Sequence, residues 1–351
     1  MRNLLFAMFL LALLGCAREV EESARSIEEK ILNARVQVYY LDTLHKTESG
    51  MYYMIQAKGT GEPVKKENYV YVRYSDLDLF ENYSWTTENS VAKLLTNEER
   101  VAKQMGNFSY STYYGPNLWI TGIYALTEGI EEVMLTMREG DKRRIWLPSW
   151  LSSYGYEGSS QQYSGTTIHD IEILKVVTDI EQFQIDSLES YRDKRYPGVD
   201  SLSYGFYIKT LKEGTGDTLK TGDRVNIRYI GRLLDDFIFA LNIADTAKRY
   251  NIYDSSTSYD VMEGECKEDG VFETIDSDGS SGSTVAGFSK AIFSMKHGEE
   301  AVVFFYSELG YGANLDKKRP AYFIFAPLVY WIQVERTNFD DEEDDEEKTT
   351  E

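Results

Sequence analysis

"SMKHGEEAVVFFYSELGYG", Ser294 to Gly312, runs from a methionine through a glycine and an acidic pair into an apolar stretch that closes on Tyr-Gly. The stretch "TMREGDKRRIWLPSWLSSYG", Thr136 to Gly155, follows the same plan in the first half of the chain. A second pair sits upstream of each: "GTGEPVKKENYVYVRY" (Gly59 to Tyr74) and "GTGDTLKTGDRVNIRY" (Gly214 to Tyr229), with a shared Gly-Thr-Gly-acid opening and a shared Arg-Tyr close. The two pairs are separated by nearly equal spans, so they describe two copies of one long module rather than two chance matches.

The strand signals in each copy are short and alternating ("YVYVRY", "RRIWLP", "IHDIEILKVV"), which predicts mostly antiparallel sheet. Between them "LTEGIEEVMLTM" places Ile130, Val133, Met134 and Met137 on one helical face, so one short amphipathic helix is expected over 126–137. The first module is expected over 36–178 and the second over 198–337. Residues 179–197, charged and closed by Pro-Gly, read as a linker helix. The second module carries an acidic, Ser/Gly-containing insertion over 240–283, expected to be part helix and part exposed loop.

The chain has 351 residues, enough for two ordinary domains. Its 37 Lys+Arg stand against 58 Asp+Glu, a balance that argues against binding to a phosphate backbone, so no nucleic-acid partner is expected. "MRNLLFAMFLLALLGC" has one early cation and an apolar run short for a membrane span, and reads as an export signal over 1–16. Its Leu-Leu-Gly-Cys end resembles the lipobox of bacterial lipoproteins. That resemblance implies acylation of Cys16 and a membrane-anchored location in the cell envelope; an ordinary signal or an uncleaved anchor is the alternative. Residues 17–35 read as a tether, helical at most in part, and 338–351, with acidic residues from Asp340 to Glu347, as a disordered tail.

With Cys16 acylated only Cys266 remains, so no intrachain disulfide is expected, and its acidic neighbours argue against a reactive thiolate. "DSDG" (Asp276 to Gly279) lacks the further acidic positions of a calcium loop and reads as an exposed turn. His45, His169 and His297 are too scattered for a metal site, and no nucleophile triad or nucleotide loop is present.

The order of parts in each copy resembles the FKBP-type peptidyl-prolyl isomerase family. The match is closer in the second copy, through "VNIRYIGRLLDDFIF", "TVAGFSKAIFSMKHGEE", "SELGYG" and "PLVYWIQV". The resemblance implies an α+β fold of two modules, each an antiparallel curled sheet around a short helix. It implies a proline pocket with Tyr311, Phe239 and Tyr229 as catalytic residues and Val285, Phe288 and Tyr330 as substrate-binding residues, no cofactor and no metal. Proline-containing polypeptides are the implied partners.

Phe288 and Tyr330 replace the family's tryptophan and phenylalanine, and Ala240 stands where the family has an aspartate. The first copy keeps Tyr74 and Tyr154 but has Ser84-Trp85, Gly129-Ile130 and His169 at the other pocket positions, which implies a degenerate pocket. Apolar residues at these spacings are also ordinary core. The function expected from the resemblance is isomerisation of X-Pro bonds in exported proteins, mainly by the second module. The alternatives are a non-catalytic polypeptide-binding chaperone or scaffold, and a surface protein that binds glycan or protein through its many tyrosines.

Overall fold

In the stretch YVYVRYSDLD (β3, Tyr69–Asp78) buried and half-buried residues alternate, as does RVNIRYIGRL (β12, Arg224–Leu233), and each becomes an interior strand of its own sheet. The computed structural model describes residues 23–81, 84–87, 90–93, 96–106, 108–122, 127–152, 165–275, 280–313 and 320–336. Cys16 and the leader, the start of the tether, the side chains of Ser84 and Trp85, Tyr154, Asp276–Gly279 and the tail over 338–351 lie outside the described residues.

The first half contributes β1 (His45–Lys46), β2 (Tyr52–Ala57), β3, a hairpin of β4 (Ser84–Thr87) and β5 (Ser90–Lys93), β6 (Asn117–Ile120), β7 (Lys142–Leu147) and β8 (Thr167–Val177). The sheet order is β1-β2-β7-β8-β3-β6, all antiparallel. The second half contributes β9 (Ser201–Ser203), β10 (Phe206–Lys212), β11 (Thr215–Thr218), β12, β13 (Ile238–Leu241), β14 (Met262–Cys266), β15 (Phe272–Ile275), β16 (Ser281–Ser283), β17 (Lys296–His297), β18 (Glu300–Phe305) and β19 (Leu328–Arg336). Its order is β9-β10-β18-β19-β12-β14-β15-β16, with β13 paired to β12 and β11 to β17. The first six strands of that order repeat the plan of the first sheet, and β15 and β16 extend it.

Six helices accompany the sheets among the described residues: α1 (Ala24–Tyr39), α2 (Glu99–Gln104), α3 (Glu128–Met134), α4 (Ile180–Arg195), α5 (Ala244–Arg249) and α6 (Ala286–Ile292). None is long and apolar enough to cross a membrane. Helix α3 starts where the Thr127 side chain accepts the Ile130 N–H, and buries Ile130, Val133 and Met134 on the first sheet. Helix α6 holds the same place on the second sheet. Gly287 permits its close approach, because a Cβ there would lie 2.6 Å from the Phe305 ring.

Two segments differ from the expectation. Residues 24–35, most of the segment read as a tether, belong to α1, which buries Leu32 and Val36 against Trp146 and Ile168. Its buried face also carries Glu28, whose carboxylate accepts bonds from the Ser149 N–H and from the Ser149 and Thr166 hydroxyls. A charge on the docked face hides the amphipathic pattern. The insertion over 240–283, expected as part helix and part exposed loop, supplies a helix, α5, and also the strands β14 to β16. Its edge hairpin is joined outside by Lys267, which pairs with Glu265 at 3.0 Å and Glu273 at 3.4 Å.

The segment between the sheets is not a free spacer. Helix α4, capped by Asp179, buries Ile185 and Leu188 on Tyr207, Val302, Phe304 and Val329 of the second sheet. Its Gln184 side chain accepts the buried Ser307 N–H at 2.8 Å. At its start Ile180 joins Leu118, Ile120 and Val177 of the first sheet and Ile324, in the segment before β19, in one buried cluster. Tyr69 meets Phe325 edge-on at 5.3 Å, and Tyr71 meets Phe183 at 5.4 Å. The two halves therefore share an aromatic junction.

Burial raises the phenols of Tyr71, Tyr74 and Tyr191 from the ordinary 10.0 to about 12, helped at Tyr74 by Asp76 and at Tyr191 by Tyr196 and Asp236. Their folded-state values exceed the unfolded ones, so the native state binds more protons between these limits. The stability they contribute is complete below about pH 10 and is lost as pH rises towards 12. The melting temperature should fall steadily above about pH 10, with tyrosinate absorbance appearing together with unfolding. A melting temperature that stays flat to pH 12 contradicts this burial.

Candidate active site

The cavity on the second sheet is built from separate elements. Strand β12 supplies Tyr229, β13 Phe239 and Ala240, the start of α6 Val285 and Phe288, the turn after β18 Gly310 and Tyr311, and β19 Tyr330. All six residues named from the sequence resemblance line this one cavity, of about 490 Å³. Phe288 and Phe239 meet Tyr330 edge-on at 5.1 and 5.7 Å, and Tyr229 meets Phe288 edge-on at 5.9 Å. Such perpendicular packing holds the rings against one another and shapes an aromatic bowl.

Sequence reasoning missed several members. Met262, Ser283 and Thr284 complete the wall, all contributed by the insertion or its end. Phe323 buttresses the rim, 4.4 Å from Tyr311 and 5.0 Å from Phe239. The aromatic cluster "AYFIF" just before the last strand is the signal that could have pointed to it.

The backbone of Tyr229 is held by Asn242. Strand β12 pairs with β14 over Arg224–Ile227 and with β13 over Ile230–Arg232, which leaves the Tyr229 N–H between the two runs. The buried Asn242 side chain accepts that N–H at 2.8 Å and donates to the carbonyls of Ile227 and Asp260 at 2.8 and 3.2 Å. Gly231, two residues on, faces Tyr330 across the strands. A Cβ there would lie 2.7 Å from the Phe239 ring and 3.0 Å from Tyr330, so glycine leaves these rings in place.

The polar chemistry is confined to hydroxyls. Tyr330 is almost fully enclosed, and burial, followed by contact and a hydrogen bond with Tyr311, raises it well above the ordinary phenol value. Burial, with Tyr311 nearby, also raises Tyr229. Among the described residues that line the cavity none is a carboxylate, imidazole or amine, so these side chains are suited to holding and orienting an amide rather than moving protons at neutral pH. Among the described residues no group of His, Cys, Asp or Glu could hold a metal ion. Cys266 is buried in the core, with its thiol pushed up to about 11 by burial and by Asp223 and Glu265, which rules out a ready thiolate.

The first sheet carries the same frame with a different filling. Asn97 accepts the Tyr74 N–H at 2.7 Å and donates to Val72 and Gly115, just as Asn242 does around Tyr229. Strand register places His169 at the position of Tyr330 and Asp76 at that of Gly231. The His169 Nδ1 lies 2.7 Å from the Asp76 carboxylate and its Nε2 2.8 Å from the Thr167 hydroxyl. Ile130 stands at the position of Phe288. A polar trio thus occupies the place of the aromatic bowl's base.

Replacing Gly231 by Ala inserts a methyl group into that base, and overpacking of this kind costs about 1–3 kcal/mol. Denaturant unfolding of Gly231→Ala should show a loss of stability of that size, with the fold kept by circular dichroism. Unchanged stability in Gly231→Ala contradicts the close packing of Phe239 and Tyr330 over this position.

Residues 216–335 match the model of the FKBP-type peptidyl-prolyl cis-trans isomerase family. No curated protein matches the chain. Among solved structures, the three FKBP domains of wheat FKBP73 align with 82% of this chain and 95% of their own at 17% identity and a TM-score of 0.27. FkpA from Escherichia coli aligns over 44% of this chain and 59% of its own at 18% identity and a TM-score of 0.29. A peptidyl-prolyl cis-trans isomerase from Pseudomonas syringae aligns over 44% and 92% at 22% identity and a TM-score of 0.29. The stretch that matches the family model contains all six cavity residues.

Proposed function

We propose that the chain is a peptidyl-prolyl cis-trans isomerase with tandem FKBP-like modules, in which the second module carries the activity and the first serves binding or spacing. The observation that carries this reading is the convergence of Tyr229, Phe239, Val285, Phe288, Tyr311 and Tyr330 on one cavity, with no carboxylate, imidazole or amine among its described lining residues. Rotation about an X-Pro bond has a barrier of roughly 18–20 kcal/mol because it breaks amide resonance. A dry aromatic bowl that grips the proline ring and fits the twisted amide better than either planar form lowers that barrier by differential binding. No cofactor is required. The Tyr311 hydroxyl, hydrogen-bonded with Tyr330 at the cavity, is the group that would orient a substrate carbonyl in this reading.

The full-length protein should accelerate cis-to-trans conversion of a short X-Pro peptide in a protease-coupled assay. Phe288→Ala, which opens the bowl, should cost more than Tyr311→Phe. The latter removes one hydrogen bond, about 0.5–1.5 kcal/mol or up to about tenfold in rate. A second reading, a non-catalytic polypeptide-binding chaperone, is favoured by Ala240 at the family's aspartate position and by the polar trio on the first sheet. Peptide binding without acceleration, in both the wild type and Ala240→Asp, selects that reading.

The setting we propose is the cell envelope, with proline-containing exported proteins as clients and an acylated Cys16 as anchor. The apolar leader ending at Gly15-Cys16 supports this. Cys16→Ser should move the protein from the membrane fraction to the soluble fraction; unchanged membrane association contradicts the anchor.

A further inference from the structure

A cavity of about 180 Å³ lies at the junction of the two halves, and none of its described lining residues is shared with the aromatic bowl. Tyr71 and Leu118 of the first sheet line it, with Phe183 and Ser187 of α4, Leu234 from the turn after β12, and Tyr322 from the segment before β19. Tyr71 packs on Phe183 at 5.4 Å, and Tyr322 packs on Tyr113, a further lining residue, at 5.3 Å.

Two enclosed polar groups line this space without a partner. Gln184, only 2% exposed, uses its side-chain oxygen to accept the Ser307 N–H at 2.8 Å. That bond fixes the orientation of the amide, because an N–H can only donate. The Gln184 amide nitrogen, with two donor hydrogens, makes no hydrogen bond among the described residues. The same holds for the hydroxyl of Tyr71, whose phenol is raised by burial alone. Buried polar groups in folded proteins are almost always paired, so two unpaired donors on one cavity point to an acceptor that belongs there.

The charge at the rim narrows the class. Asp235 lines the cavity from an exposed position, and its carboxylate accepts from the Tyr113 hydroxyl and from the Phe237 N–H, the latter at 3.2 Å. Among the described lining residues there is no lysine, arginine or histidine, so an entering anion meets a carboxylate and no counter-charge. An entering cation would be set against the donor hydrogens of Gln184. The Ser187 hydroxyl donates to the Phe183 carbonyl at 2.7 Å, and the remaining walls are aliphatic or aromatic.

We propose that the junction cavity is a binding site for an uncharged single-ring molecule that carries a carbonyl, with the ring against the aromatic walls and the carbonyl oxygen accepting from Gln184 and Tyr71. The size fits, since an apolar cavity of about 150 Å³ takes one benzene. Because the walls belong to both halves, such a ligand stabilises their docking by mass action. The site is independent of the isomerase reading.

Benzamide is the probe. Titrated into isotope-labelled full-length protein, it should saturably shift the backbone amides of Leu118, Gln184, Ser187 and Leu234 in NMR spectra. Tyr71→Phe removes a donor that no bond of the fold uses, so the fold should be kept while the dissociation constant rises by about two- to tenfold. Ser187→Leu, which places a side chain in the space, should abolish the shifts. Benzoate and benzylammonium should bind roughly tenfold more weakly than benzamide or worse, and toluene, which has the ring without the acceptor, should also bind more weakly. The site is overturned if benzamide gives no saturable shift, if the shifts are confined to the aromatic bowl, or if both variants leave its affinity unaltered. Benzoate, benzylammonium or toluene binding as tightly as benzamide overturns the assigned ligand class.

Discussion

A buried asparagine side chain at the point where the interior strand changes partners is the constraint on which the site depends. Strand β12 cannot pair continuously with β14 and also open a cavity beside it, so the ladder must break, and a break leaves backbone groups without strand partners. Asn242 closes the gap with one acceptor and two donor bonds, all to backbone atoms. Each of those groups left unsatisfied in the interior would cost about 1–3 kcal/mol. The clamp fixes the direction of Tyr229, lets β13 turn back with Phe239 and Ala240, and admits the whole insertion on the far side. Asn97 does the same for Tyr74, so the device belongs to the frame and not to the aromatic bowl alone.

What distinguishes the two halves is the pair of residues facing each other on the strands beneath the cavity. Gly231 opposite Tyr330 lets a large ring lie flat over Phe305, stacked at 6.0 Å, and leaves room for Phe239. Asp76 opposite His169 fills the same place with a charge and its partner. The helix follows suit, with Phe288 against the larger space and Ile130 against the smaller. One strand order thus supports an aromatic bowl in one half and a hydrogen-bonded polar cluster in the other.

The paired blocks around Met137 and Met295, and those around Gly59 and Gly214, made the strand plan legible because each repeats with its own alternation. The aromatic cavity residues were legible only through family resemblance, since Phe239, Val285 and Phe288 have the pattern of ordinary core. The asparagine clamps carried a readable signal that reasoning passed over: Asn97 and Asn242 each precede Ala-Lys at the same spacing, Ala102-Lys103 and Ala247-Lys248. Helix α1 was hidden by Glu28 on its buried face. The strands of the insertion were hidden because β14 buries only Gly264 and Cys266 and β15 only Phe272, with glutamates between them, while β16 is exposed throughout. The junction between the halves has no local signature, because Tyr69, Tyr71, Phe183 and Phe325 are distant in sequence and meet only through the docking of α4.

The central claim is that a proline peptide sits in the aromatic bowl of the second half and turns over there. Exchange spectroscopy by NMR on a proline peptide mixed with isotope-labelled full-length protein tests both parts at once. The account predicts that the backbone amides of Gly231, Phe288 and Tyr330 shift on titration while cis–trans exchange cross-peaks of the peptide grow with protein concentration. Shifts clustered around His169 and Asp76, or shifts at the bowl with exchange no faster than in peptide alone, would contradict it.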